Sequence, residues 1–181
     1  MNQIEYSMQT DITKNKVSSK QIILAFCKKY KNAKKANMYF PNTYLDIWEA
    51  DIFELTGSGY LYEYEIKISR SDFKNDVKKE KKYFSGTVRN KHREIMDGKR
   101  CNYFYFVVPE NLVTVNEIPY YAGLIYFKQT VYNDSLFPEH RLFTEFIIVK
   151  SAPKLHKDKL NEKIKIKLLL STYYRFHALW K

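Results

Sequence analysis

EADIFELTGSGYLYEYEIKIS, residues 49–69, holds two β-like runs on either side of Gly57-Ser58-Gly59. A three-residue hairpin loop there pairs Thr56 with Tyr60, and therefore Asp51 with Glu65 and Glu49 with Lys67. Directly opposed side chains leave the same face of an antiparallel pair, with Cβ atoms about 5 Å apart. One face then carries Glu49, Asp51, Glu63, Glu65 and Lys67, and the other carries Trp48, Ala50, Ile52, Tyr64, Ile66 and Ile68. The apolar face is the predicted core face, and it fixes the register, because a one-residue slip would turn it to solvent.

Two opposed carboxylates destabilise a sheet unless something offsets their repulsion. A hard divalent cation such as Mg²⁺ can do so, since one or two carboxylates with waters suffice to hold it. An ammonium beside it, here Lys67, would orient an attacking water or stabilise charge on a scissile phosphate. The same residues also fit a solvent-facing strand with a Glu65–Lys67 ion pair. Glu-x-Lys alone is weak, because it recurs at Glu80-Lys81-Lys82.

Outward from the hairpin, the chain reads as an α/β mixture with a mixed sheet. Residues 18–35 predict a helix capped by Ser18 or Ser19, with Ile22, Ile23, Phe26 and Tyr30 as its apolar stripe. The run from Ser69 to Gly98 reads first as a helix capped by Ser71 or Asp72 and broken near Ser85-Gly86. CNYFYFVVP predicts a buried strand ended by Pro109, YAGLIYFK a short strand, and RLFTEFIIVKSAP another ended by Pro153. A long helix from about His156 to Lys181 closes the chain. The 181 residues are expected to form one domain, poorly ordered over the polar residues 1–16.

Composition narrows the function classes. The formal net charge of +11 points to a polyanionic partner, since each neutralised phosphate releases counterions. No apolar run approaches the roughly 20 residues of a membrane span, and no secretory leader is visible, so a cytoplasmic protein is expected. Cys27 and Cys101 are far apart, and the four histidines show no metal spacing, which argues against structural zinc and a zinc hydrolase. No Gly-rich phosphate loop is present, and Cys27 reads as core. His92 in RNKHRE reads as a surface residue, and His156 receives no role.

Asp51, a short turn and then Glu65-Ile66-Lys67 resemble the D…(D/E)xK core of the PD-(D/E)xK nuclease superfamily. EADIFELTGSGYLYEYEIKISRSDFKND, CNYFYFVVPENLV, YAGLIYF and VKSAPKLHK follow in an order similar to its phage-encoded endonuclease-like members and MmcB-type DNA-repair nucleases. The resemblance covers about Glu49 to the end of the chain. It implies a restriction-endonuclease-like core, in which a mixed central β-sheet is flanked by helices, with Mg²⁺ or Mn²⁺ as cofactor and DNA as substrate. It makes Asp51 and Glu65 metal ligands, the Ile66 carbonyl a further ligand, and Lys67 the catalytic lysine. Ala50 stands where the family has proline, and residues 18–36 contain no acid where many members place a glutamate. Glu49 and Glu63 are the candidates to replace it.

The segment after the site adds cations. Arg70, Lys74, Lys79 and Lys82 are the candidate phosphate contacts, on a helix whose N-terminus would also attract a phosphate. The sequence thus leads to a metal-dependent DNA endonuclease of phage or bacterial DNA metabolism or repair. The alternative is a weak or inactive nuclease-fold protein that binds nucleic acid or serves phage assembly. Nothing in the sequence marks an oligomer surface.

Overall fold

The computed structural model describes residues 17–33, 36–83, 85–134 and 137–178; the expectation for residues 1–16 lies outside them. Helix α1 (Ser19–Ala33) precedes an antiparallel meander of β1 (Met38–Leu45), β2 (Trp48–Leu55) and β3 (Leu61–Ile66). A crossover follows, made of α2 (Arg70–Asp76), the short antiparallel pair β4 (Glu80–Lys82) and β5 (Val88–Asn90), and α3 (Lys91–Met96). It delivers β6 (Tyr103–Pro109) parallel to β3. A loop with a 3₁₀ turn at Val115–Glu117 leads to β7 (Gly123–Asp134), parallel to β6, and β8 (Phe137–Lys150) folds back antiparallel. Helix α4 (Glu162–Ala178) comes last. The central sheet is therefore mixed and six-stranded, in the order β1-β2-β3-β6-β7-β8, with helices flanking it.

Both faces of this sheet are covered, as a mixed sheet flanked by helices requires, and the charged side of the hairpin is buried along with the predicted core face. Ile52, Tyr64, Ile66, Val107 and Ile125 pack under Ile22 and Phe26 of α1. Phe53, Leu61, Phe104, Phe106 and Leu124 pack under Phe73 of α2, Ile95 of α3 and Leu168 of α4. The parallel β3-to-β6 connection lays α2 and α3 over the face that carries Glu63, Glu65 and Lys67. Those charges are consequently 0%, 2% and 4% exposed.

Three further expectations shift. Strand β1 was not read from MYFPNTYL because Pro41 and Asn42 are breaking signals. Proline is tolerated there because β1 is an edge strand, and Asn42 takes φ 44. The single helix expected after Ser69 stops at Asp76, since Lys74, Lys78, Lys81 and Lys82 would repel along one helix face. The chain turns instead into β4 and β5. The last helix starts at Glu162 rather than His156, because Asn102 holds the preceding segment extended. The Asn102 amide donates to the carbonyls of His156 (3.1 Å) and Asp158 (2.8 Å), while its Oδ1 accepts the Leu61 N–H (2.8 Å). His156 thus belongs to this strap.

Gly123 sits where the sheet leaves no room for a side chain. A Cβ there would lie 2.4 Å from Tyr105 Cε1 and 2.7 Å from the backbone nitrogen of Ala152. Gly123→Ala is expected to cost about 1–3 kcal/mol, seen as a lower urea midpoint at unchanged slope. An unshifted midpoint would mean that β7 and the segment after β8 are not in such contact.

Candidate active site

The hairpin adopts the register that its turn dictates. Thr56 N–H donates to Tyr60 O and Gly59 N–H to Thr56 O, both at 2.9 Å, and Gly59 takes φ 89, a left-handed value that glycine adopts without steric penalty. Pairs then run Leu55–Leu61, Glu54–Tyr62, Phe53–Glu63 and Ile52–Tyr64. Beyond Ile52 the ladder stops. Asp51 Oδ2 accepts the Ile66 N–H at 2.7 Å, in place of the next strand-to-strand bond. The Ile66 carbonyl leaves β3 on the same edge as its N–H, hence towards Asp51. Lys67 pairs with Glu65 and its charge acts on Asp51, so the three lie near this parting of the strands.

Around them lies a buried web of charge. Glu65 Oε2 sits 3.1 Å from Lys67 Nζ and 3.4 Å from Lys79 Nζ, and its Oε1 is paired with Lys91. Lys91 also reaches Glu63 (2.9 Å) and donates to the Glu49 carbonyl (2.8 Å). Glu63 in turn is gripped by Arg100 at 3.0 Å. Asp76 Oδ1 lies 2.6 Å from both Lys67 and Lys79, and Asp76 Oδ2 lies 2.8 Å from His92 Nε2. An ionised Asp76 only accepts, so His92 Nε2 donates to it; Nδ1 lies 2.9 Å from the Tyr121 hydroxyl, from which a neutral ring accepts. The carboxylates of Asp51, Glu63, Glu65 and Asp76 are matched in number by Lys67, Lys79, Lys91 and Arg100.

The acids respond differently to this field. Burial alone would raise Glu63, but Lys91 and Arg100 outweigh it and hold the carboxyl below its ordinary value. Burial is likewise outweighed at Asp76, where His92, Lys67 and Lys79 hold the carboxyl well below the usual carboxylate range. At Asp51 burial wins: the Ile66 N–H and the ammonium groups of Lys67, Lys79 and Lys91 oppose it without cancelling it, and the carboxyl is raised. Of Asp51, Glu63 and Asp76, Asp51 is thus the acid whose negative charge its surroundings compensate least.

Several predicted site residues stand elsewhere. Glu49 is exposed and its carboxylate lies beside Tyr44 of β1, because β2 has already parted from β3; only its carbonyl reaches the web. Glu63 faces the site side and is engaged there by Lys91 and Arg100. Arg70 is tied to the Leu112 carbonyl at 2.8 Å and to Glu117, bracing the 3₁₀ loop. Ser69, not Ser71 or Asp72, caps α2, accepting the Asp72 N–H at 3.1 Å, and the helix is only seven residues long. Lys82 lies exposed on extended β4 rather than on a helix, and Lys74 is exposed on α2. Lys79 belongs to the carboxylate web. His92, read as a surface residue, is 2% exposed.

Asp76, Lys91, His92 and Arg100 were not found from sequence. One signal pointed to two of them. Helix α3 opens Lys91-His92-Arg93 behind its Asn90 cap, and cations in a first helical turn oppose the helix dipole unless acids nearby compensate them.

A divalent cation fits the donor chemistry of the opening. No group of three or more His, Cys, Asp or Glu among the described residues is placed to hold a metal. Mg²⁺ needs fewer, since one or two carboxylates, a carbonyl and waters complete its shell. Asp51, Glu65 and the Ile66 carbonyl are hard oxygen donors, and Asp51 is under-compensated.

No protein-family model matches the chain, and no curated protein sequence matches it. Among solved structures it is similar to a protein of unknown function from Silicibacter pomeroyi, with 17% identity and a TM-score of 0.52, covering 83% of this chain and 84% of that one. The likeness is one of fold.

Proposed function

We propose that this chain is a metal-dependent DNA endonuclease of the PD-(D/E)xK type, with a restriction-endonuclease-like core. The observation that carries the reading is the parting of β2 from β3 at Asp51, which sets its carboxylate, Glu65, the Ile66 carbonyl and the Lys67 ammonium around one opening. Asp51, Glu65 and the Ile66 carbonyl would hold Mg²⁺ or Mn²⁺. Such an ion, when bound, polarises the scissile phosphate and lowers the pKa of a bound water. Lys67, pinned between Glu65 and Asp76, orients the attacking water and stabilises the charge that develops on the phosphate oxygen. Asp76 fixes the Lys67 ammonium, and His92 with Tyr121 fixes Asp76.

The net charge of +11 supports a polyanionic substrate, with exposed Lys74, Lys78 and Lys82 close in sequence to the site. No helix among the described residues is long and apolar enough to cross a membrane, and both cysteines are free thiols. We place the protein in the cytoplasm of a bacterial or phage-infected cell. A second reading, a nucleic-acid-binding or phage assembly protein without turnover, draws on the three lysines that already satisfy Glu65.

Cleavage of plasmid and single-stranded DNA with Mg²⁺ or Mn²⁺ separates the two readings. Asp51→Asn, close in shape but uncharged, is expected to lose about 10²–10³-fold in rate while keeping its metal-free DNA band shift. DNA binding without cleavage by the wild type would favour the second reading.

A further inference from the structure

We infer that Lys79 is a placeholder, an internal cation that neutralises the carboxylates of the opening until a divalent ion enters and displaces it. The inference rests on the metal-site reading above. Three ammonium groups serve Glu65, and they differ in access to water. The Lys67 and Lys91 side chains are 5% and 1% exposed, whereas that of Lys79 is 42% exposed. Moving Lys67 or Lys91 would strip a buried charge of its partners, which is costly. Lys79 can turn into solvent and rehydrate.

Its backbone does not have to move. The Lys79 N–H donates to Asp76 O at 3.0 Å and its carbonyl accepts the Lys91 N–H at 3.1 Å, so the main chain is fixed and only the long side chain swings. Its ammonium bridges Glu65 Oε2 and Asp76 Oδ1 at 3.4 and 2.6 Å. Glu65 Oε2 is the oxygen that Lys79 shares with Lys67, while Lys91 pairs with Oε1.

Charge balance gives the displacement its direction. The web is neutral with Lys79 in place. A divalent ion added to it leaves two surplus positive charges. Departure of Lys79 reduces the surplus to one, which a single phosphodiester neutralises. Metal and nucleic acid therefore favour each other's binding, and the metal alone binds weakly because it competes with a tethered ammonium.

The test is Mn²⁺ titration of the full chain without DNA, reading free Mn²⁺ by electron paramagnetic resonance. Lys79→Met is expected to bind Mn²⁺ about tenfold more tightly than wild type, from the loss of one nearby charge. Lys79→Arg, which keeps the charge, is expected to bind no more tightly than wild type, and Asp51→Asn is expected to abolish binding in either background. Equal or weaker binding by Lys79→Met, with Asp51→Asn still abolishing it, overturns the placeholder and leaves the metal reading standing. No Mn²⁺ binding by wild type and Lys79→Met, or binding indifferent to Asp51→Asn, overturns the metal reading and the placeholder together.

Discussion

Lys67→Met is expected to reduce Mg²⁺- or Mn²⁺-dependent DNA cleavage by about 10²–10³-fold. The side chain is buried between Glu65 and Asp76, so its ammonium has one location and cannot be replaced by a mobile surface lysine. Its loss leaves neither acid stranded, because Glu65 keeps Lys79 and Lys91, and Asp76 keeps Lys79 and His92. The stability change should therefore stay near 1–3 kcal/mol, and circular-dichroism melting should show a cooperative fold. A folded Lys67→Met protein that cleaves at the wild-type rate would remove the proposed mechanism.

The largest effect on folding is expected at Glu63. It is wholly buried between Lys91 and Arg100, which are themselves 1% and 6% exposed. Glu63→Gln keeps the shape and removes the charge, leaving Arg100 poorly compensated in the interior and Lys91 with Glu65 alone. Breaking one side of a buried ion pair costs about 3–5 kcal/mol, read here as a lower urea midpoint. An unchanged midpoint would show that both cations reach water in solution.

The same group sets an acid limit. Its folded pKa is depressed, so its contribution is present above its ordinary value of 4.5 and is lost as pH falls through the lower folded value. Asp76, also depressed, adds stability of the same sign above 3.8. Asp51, raised by burial, acts the other way, since its ionised form opposes folding and protonation relieves it. Two depressed acids against one raised acid predict net acid destabilisation below pH 4.5, with a shallower slope in Glu63→Gln.

The hairpin was legible because two local signals agreed. Gly57-Ser58-Gly59 set the loop length, and the apolar alternation of Ile52, Tyr64 and Ile66 set the face. The unbroken apolar run of β6 was legible for the same reason, and it lies buried at the centre of the sheet. The ladder ends at Ile52, and Asp51 is held beside β3 by its bond to the Ile66 N–H, which pair-counting does not reveal. What stayed hidden depends on contacts far apart in sequence. Arg100 meets Glu63 across 37 residues and Lys91 meets Glu65 across 26, and each reads locally as an ordinary surface polar residue. Glu49 was misplaced because pair-counting assumes that the ladder continues, and here it ends at Ile52. Lys79 was assigned to a helix face that its own neighbouring lysines prevent from forming.

The central claim is that Asp51 and Glu65 share a divalent cation. Its most direct measurement is anomalous diffraction from crystals grown with Mn²⁺. The account predicts a peak about 2 Å from oxygens of Asp51, Glu65 and the Ile66 carbonyl, with the Lys79 ammonium withdrawn. A map without that peak, in which Glu65 still holds Lys67, Lys79 and Lys91, would contradict it.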